Sequence, residues 1–171
     1  MQNSTTLTIT DDSGFIAVVN ADNYKSFVSK DWELSQLFNH FVDEMNSDNL
    51  IIWSTGSANV WTISFVDKQS DKISFREFYK TIEVTNDRIF LTNYEDLTMA
   101  AQYEDEKIPA NHNVNLSLQL DNGRHKFLIR QLFDPEDYEY DPKDKVNFEI
   151  IVQKEISKQV QQIDKVFWWT Q

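Results

Sequence analysis

A single apolar stripe of helical period, Leu34, Leu37, Phe38, Phe41, Val42 and Met45, stands in a chain whose other apolar segments mostly change face at every residue. The i, i+3, i+4, i+7 spacing predicts one long helix over residues 31–46, with Asp31 as its cap. Asn46, Ser47, Asp48 and Asn49 stop it, because short polar side chains compete for backbone hydrogen bonds. One long helix among many short strands restricts the chain to a mainly β, α+β architecture.

The β segments are punctuated by turn residues. Residues 5–10 and 14–20 are rich in β-branched side chains and flank Asp11, Asp12, Ser13 and Gly14, which reads as an opening hairpin. Residues 50–54 lead through Thr55, Gly56 and Ser57 into 60–66, where Trp61, Ile63 and Phe65 alternate with Val60, Thr62 and Ser64, and these two runs read as paired strands. Residues 72–85 continue in β character. Ile73 and Phe75 fall out of phase with Phe78, Ile82 and Val84, which places a bulge near Arg76 and Glu77. A short strand follows over 88–92.

In the stretch 94–103, Leu97, Met99, Ala101 and Tyr103 alternate as in a strand, whereas Leu97, Ala100 and Ala101 would line a helix; the strand is favoured. Residues 114–120 alternate cleanly, and Asp121, Asn122 and Gly123 lead into 124–133 as the turn of a second hairpin. Asp134 to Asp144 is a loop, 146–154 a last strand, and Ile156, Val160, Ile163 and Phe167 are spaced for a C-terminal helix. The expected fold is an antiparallel β-sandwich-like domain.

Only three glycines and three prolines occur in 171 residues, so no Gly/Ser or Pro-rich linker divides the chain, and 1–171 is read as a single domain without internal repeats. The absence of cysteine removes disulfides and thiolate metal sites. The first residues have neither a basic opening nor an apolar run, and no window approaches the ~18 apolar residues of a membrane span. A cytoplasmic protein is expected, of unspecified oligomeric state.

Asp and Glu number twenty-eight against sixteen Lys and Arg, a formal charge of −12. Affinity for phosphate comes from cations that release condensed counterions, so this balance argues against a nucleic-acid or anionic-membrane surface and suits a basic partner. Catalytic raw material is scarce. Ser54, Thr55, Gly56 and Ser57 lack the flanking glycines of a nucleophile elbow, and His40, His112 and His125 are scattered without ligand spacing. Read as a calcium loop from Asp134, the acidic stretch puts Glu139 where a glycine is needed for the sharp turn. Acid pairs for glycoside hydrolysis are everywhere in such a chain and therefore specify nothing. Trp53 and Trp61, alternating in strands, read as core. The chain is taken as a non-enzyme with no cofactor and no metal.

The remaining candidates are surfaces for a partner. The acidic loop offers Asp134, Glu136, Asp137, Glu139 and Asp141, with Tyr138 and Tyr140 interleaved as large contact areas of low entropic cost. Glu104, Asp105 and Glu106 form a second acidic run. Phe167, Trp168 and Trp169 cannot all point inward from one helix or strand, so they either meet a partner or dock back over the domain's own sheet.

Two stretches, NADNYKSFVSKDWELSQLFNHFVDEMNSDNLIIWST and NLSLQLDNGRHKFLIRQLFDPEDYEYDPKDKVNFEII, resemble in element order small bacterial β-sandwich proteins of the competence-associated nuclease inhibitor type, and some immunity proteins of toxin systems. The resemblance carries no diagnostic motif and transfers no binding residue. It implies a stoichiometric binder that neutralises a toxin or nuclease, which agrees with the acidic charge steering a basic enzyme. The alternative is a small-ligand or carbohydrate-binding β-sandwich, with or without the assistance of calcium.

Overall fold

The computed structural model describes residues 4–157 and 159–170. Nine strands form two sheets: β1 (Thr5–Asp11), β2 (Phe15–Val19), β3 (Leu50–Ser54), β4 (Asn59–Val66), β5 (Arg76–Val84), β6 (Arg88–Asn93), β7 (Ser117–Gln119), β8 (Gly123–Gln131) and β9 (Phe148–Lys154). One sheet has the order β1-β4-β9-β8-β5 and the other β3-β2-β6-β7. Every pairing is antiparallel except β4 with β9. The α+β class expected from the sequence holds.

All four short turns carry the chain from one sheet to the other. The connections β1–β2, β3–β4, β5–β6 and β7–β8 each join strands of different sheets, so the hairpins expected at 5–20 and 114–133 and the pairing expected between 50–54 and 60–66 are corrected. Asp11 shows how. Its Oδ1 accepts the backbone N–H groups of Ser13, Gly14 and Phe15 at 3.2, 2.7 and 3.1 Å, and turns the chain through Gly14 at φ 84°. β1 then pairs with β4 and β2 with β3. A corner of this kind draws on the same Asp, Ser and Gly as a hairpin.

The runs IAVV of β2 and LIIW of β3 are buried on both faces, and an uninterrupted apolar run is what such a strand needs. Ile16, Val18, Ile51 and Trp53 face the other sheet and meet Trp61, Ile63, Phe65, Phe127, Ile129 and Phe148. Ala17, Val19, Leu50 and Ile52 face away, toward the helices. Helix α1 (Leu34–Asn46) buries Leu37, Phe38, Phe41 and Met45 there, while Leu34 at its start is exposed. It begins after Glu33, whose backbone N–H donates to Gln36 Oε1 at 2.8 Å, and not at Asp31. The result is three layers: helices, four-stranded sheet, five-stranded sheet.

The stretch 94–103 is helical, not a strand: α2 spans Tyr94–Gln102. Asn93 caps it by accepting the Asp96 N–H at 2.9 Å, and Leu97, Ala100 and Ala101 form its buried stripe. Asn-x-x-Asp is the signal that the alternation of Met99 and Tyr103 masked. The expected bulge at Arg76 is instead the start of β5; Ile73 and Phe75 precede the strand and are exposed, which is why their phase differs.

The expected C-terminal helix is also corrected, for the described residues beyond β9 contain none. They form a strap along the side where the edge strands β3 and β5 lie. Ser54 N–H donates to the Phe167 carbonyl at 3.0 Å, and Asn46 exchanges two hydrogen bonds with the backbone of Ile163, each 2.9 Å. The Phe167 ring stacks on Phe78 of β5 at 3.8 Å, so the strap bridges both edges. Ile156, 95% exposed, shows that the spacing read as helical is not one buried face. Near the strap's start, Asp48 holds Lys80 and Arg124, each at 2.8 Å. Burial disfavours the Asp48 carboxylate, but Lys80, Thr81 and Arg124 outweigh it and hold its pKa below the ordinary range.

Candidate interaction surface

The acidic loop joins β8 to β9 at one end of the sandwich, and it is built rather than slack. Three Asx turns follow one another: Asp134 Oδ1 accepts Glu136 N–H at 2.9 Å, Asp137 Oδ1 accepts Glu139 N–H at 3.0 Å, and Asp141 Oδ1 accepts Lys143 N–H at 3.0 Å. Each turn uses one carboxylate oxygen of an exposed aspartate to order the backbone. Asp134, Glu136, Asp137, Glu139, Asp141 and Asp144 make no ion pair among the described residues.

The base of the loop is fixed by a residue that the sequence reading passed over. Asn147 is fully buried; its Oδ1 accepts the Thr62 N–H at 2.7 Å, and its Nδ2 donates to Tyr140 Oη at 2.8 Å and to the Pro142 carbonyl at 3.1 Å. Tyr140 stacks on Phe133 at 4.7 Å, and Phe133 stacks on Trp61 at 4.8 Å, a column running from the loop into the core. Tyr140 is therefore the internal anchor of the loop. Tyr138, 98% exposed, is the solvent-facing aromatic of the loop. On the far side, Pro135 lies against Gly56 (φ 89°), where a Cβ would overlap the proline ring.

A groove of about 650 Å³ runs beside the loop, lined by Lys72, Ile73, Leu132, Tyr140, Asp144 and Val146 among others. Ile73 is 91% exposed. The segment that carries it is pinned from beneath: Arg130 bonds Glu149 and the Lys72 carbonyl, and Ser70 N–H donates to Glu149. Arg130 and Glu149 are both buried, so the exposed isoleucine sits on a charge-paired base.

Of the other candidates, Trp168 and Trp169 dock back on the domain. Trp169 stacks on Phe38 at 4.0 Å, and Trp168 lies under the Arg76 guanidinium at 4.3 Å. Burial pushes the Arg76 pKa down, and the charge of Asp134 opposes that shift. Glu104, Asp105 and Glu106 follow α2, exposed, and no hydrogen bond or ion pair among the described residues joins them to the loop.

The residues considered for catalysis have structural partners. Thr55 Oγ1, buried, donates to Asp11 Oδ2 at 2.7 Å, and Ser54 lends its carbonyl to Arg76. His40 bonds the Lys25 carbonyl, His112 bonds Asp96 and His125 bonds the Gly123 carbonyl. Among the described residues no three His, Asp or Glu gather to hold a metal, and no helix is long and apolar enough to cross a membrane. Trp53 and Trp61 are core, at 0% and 1% exposure.

No protein-family model and no curated protein matches the chain. Two solved structures do. One is described as crocagin biosynthetic gene J, 9% identical, with a TM-score of 0.57 over 90% of this chain and 97% of that one. The other is ComJ, inhibitor of the DNA-degrading activity of NucA, from Bacillus subtilis, 13% identical, with a TM-score of 0.48 over 89% of this chain and 96% of that one. The likeness reaches the fold and no further, and no site residue of either protein carries over.

Proposed function

We propose that this chain is a stoichiometric protein-binding domain, an inhibitor or immunity protein that neutralises a basic enzyme or toxin, and that it grips its partner with the 134–144 loop. The observation that carries the reading is the Asx-turn series, which presents Asp137, Glu139 and Asp141 in fixed positions around an exposed Tyr138. A preformed loop loses little entropy on binding, and clustered carboxylates raise the encounter rate of a cationic partner. Ile73, in the adjoining groove, supplies apolar contact at the edge of the charged surface. The partner fits as a nuclease or a similar toxin, whose cationic substrate groove such carboxylates would occupy in place of phosphates.

The test is capture of a basic protein from host lysate at low salt, followed by titration of the purified partner against wild type and against Asp137→Lys/Glu139→Lys/Asp141→Lys. Affinity lowered at least ~100-fold with a flatter salt dependence, together with loss of inhibition of the partner's activity, supports the reading. Unchanged affinity and salt dependence in the triple variant would exclude the loop.

A further inference from the structure

Each sheet has two edges, and three of the four edge strands are protected. β3 is closed by the strap, where Trp53 bridges to Phe167 and the Ser54 N–H donates to the Phe167 carbonyl at 3.0 Å. β5 is covered near one end by Asp48, whose carbonyl accepts the Glu83 N–H at 2.8 Å, and toward the other by the Phe167 ring on Phe78. Arg76, Glu77, Lys80 and Glu83 also set charges along it. β7 is only three residues long. A covering segment, charge and shortness are the devices that keep a sheet edge from pairing with another chain.

β1 has none of them. Its seven residues pair with β4 on one side, and no strand lies on the other. Thr5 to Thr10 include no charge and no proline, and Asp11 is buried with its carboxylate turned into the corner. Among the described residues Asn93, whose Nδ2 donates to the Thr10 carbonyl at 2.9 Å, is the one hydrogen-bond partner outside β4 for the backbone of 5–10. Leu7 faces the core between the sheets yet stays partly exposed at this edge, whereas Ile9, also inward, is 2% exposed. Thr6, Thr8 and Thr10 point outward and are exposed, and Thr62 and Ser64 beside them on β4 are uncharged as well.

Charge selects the occupant. A chain of formal charge −12 repels its own copy over most of its surface, but not along this neutral strip, where a basic segment would find nothing to recognise. A second β1 is self-complementary. Antiparallel overlap of the two seven-residue strands, centred on Thr8, sets Thr8 against Thr8, Thr6 against Thr10 and Leu7 against Ile9, with threonines on one face and aliphatic side chains on the other. Because β1 is antiparallel to β4 and β4 is parallel to β9, the Asp11 end of β1 lies at the end of the sheet where the acidic loop enters β9. Antiparallel pairing therefore carries the two acidic loops to opposite ends of the joined sheet.

We propose that two copies of this chain pair through β1 into a two-fold symmetric dimer, joining their five-stranded sheets into one. This contact does not rest on the acidic-loop reading and leaves that loop open.

The test is sedimentation velocity of the whole protein from ~5 to ~500 µM, on wild type, Thr8→Lys, Thr8→Glu and an equimolar mixture of the two variants, with urea unfolding to check that each is folded. Wild type should dimerise with a Kd below ~200 µM. Each variant alone should dimerise at least ~10-fold more weakly, because like charges then stand directly opposite, and the mixture should recover the dimer. Lysine lowers the net negative charge and glutamate raises it, so loss in both reports on the local contact and not on overall repulsion. Thr8→Cys, nearly isosteric, gives an independent reading: directly opposed residues hold their Cβ atoms ~5 Å apart, so mild oxidation should link the two copies. A wild type that is monomeric throughout, dimers equally strong in both charged variants, a mixture that recovers nothing, or no cross-link overturns the proposal.

Discussion

Trp61 Nε1 donates to Asp11 Oδ2 at 2.9 Å, across the corner where the chain leaves the five-stranded sheet for the four-stranded one. Thr55 Oγ1 donates to the same oxygen at 2.7 Å, and three backbone N–H groups converge on Oδ1. Asp11 is 1% exposed, so its removal leaves buried donors, the Gly14 N–H and Trp61 Nε1–H among them, without their partner. A buried donor without a partner costs more than a hydrogen bond contributes when made. Asp11→Ala should lose about 3 kcal/mol by urea denaturation. Asp11→Asn should recover only part of this, because its amide NH2 must face either the backbone donors or Trp61 and Thr55. Two variants as stable as wild type would show that the corner does not depend on this carboxylate.

Asn147 separates the stability of the acidic loop from that of the domain. Asn147→Ala removes the bonds to Thr62, Tyr140 and Pro142 and should cost about 2 kcal/mol. Amide exchange should accelerate over 134–146 more than in β5 or β8, while Tyr140→Phe, which loses only the hydroxyl partner, should cost about half as much. Uniform acceleration across all strands would mean that Asn147 supports the core and not the loop.

The strap is a structural element of the sandwich and not a tail. Phe167 stacks on Phe78 of one sheet while its carbonyl accepts the Ser54 N–H of the other. Phe167→Ala should lower stability by about 3 kcal/mol through lost contacts and the cavity left between the edges. Trp168→Ala, which removes a ring packed under Arg76 near the surface, should cost about 1 kcal/mol. Equal effects of the two in urea unfolding would contradict the closure of the open side by Phe167.

What could be read from the residues and what could not divide along a physical line. Helix α1 and the strand 60–66 were legible because burial on one face imposes a local period, and 50–54 was legible as an uninterrupted apolar run. Which strand pairs with which was not. Asp11-Asp12-Ser13-Gly14 and Asp121-Asn122-Gly123 are the residues of a tight hairpin, and here each takes the chain across to the other sheet. The choice between the two rests on partners about fifty residues away, such as Trp61 and Thr55 for Asp11. The same holds for the loop. Its charge was evident from the sequence, but the division of labour between Tyr140, stacked inward, and Tyr138, outward, depends on Phe133 and Asn147. Asn147 gave no signal beyond being one more asparagine before a strand, and the strap could not be distinguished from a helix because Ile163, Val166 and Phe167 pack on different neighbours while Ile156 packs on none.

His125 makes the fold sensitive to mild acid. Burial pushes its pKa below the ordinary value; the Gly123 carbonyl opposes this, Lys154 adds to it, and Asp121 and Glu83 oppose it. A histidine whose folded pKa is lowered binds its proton more readily in the unfolded chain. Its contribution to stability is therefore complete above about pH 6.5 and is lost as pH falls from there toward the folded value. Stability from urea unfolding should decline between about pH 7.5 and 5.5, and His125→Gln, which carries no titrating group, should decline less over the same interval. Carboxylates titrate mainly below this window, so the difference between the two slopes isolates the imidazole. Parallel slopes for wild type and variant would show that the buried imidazole meets no greater penalty for its charge when folded than when unfolded.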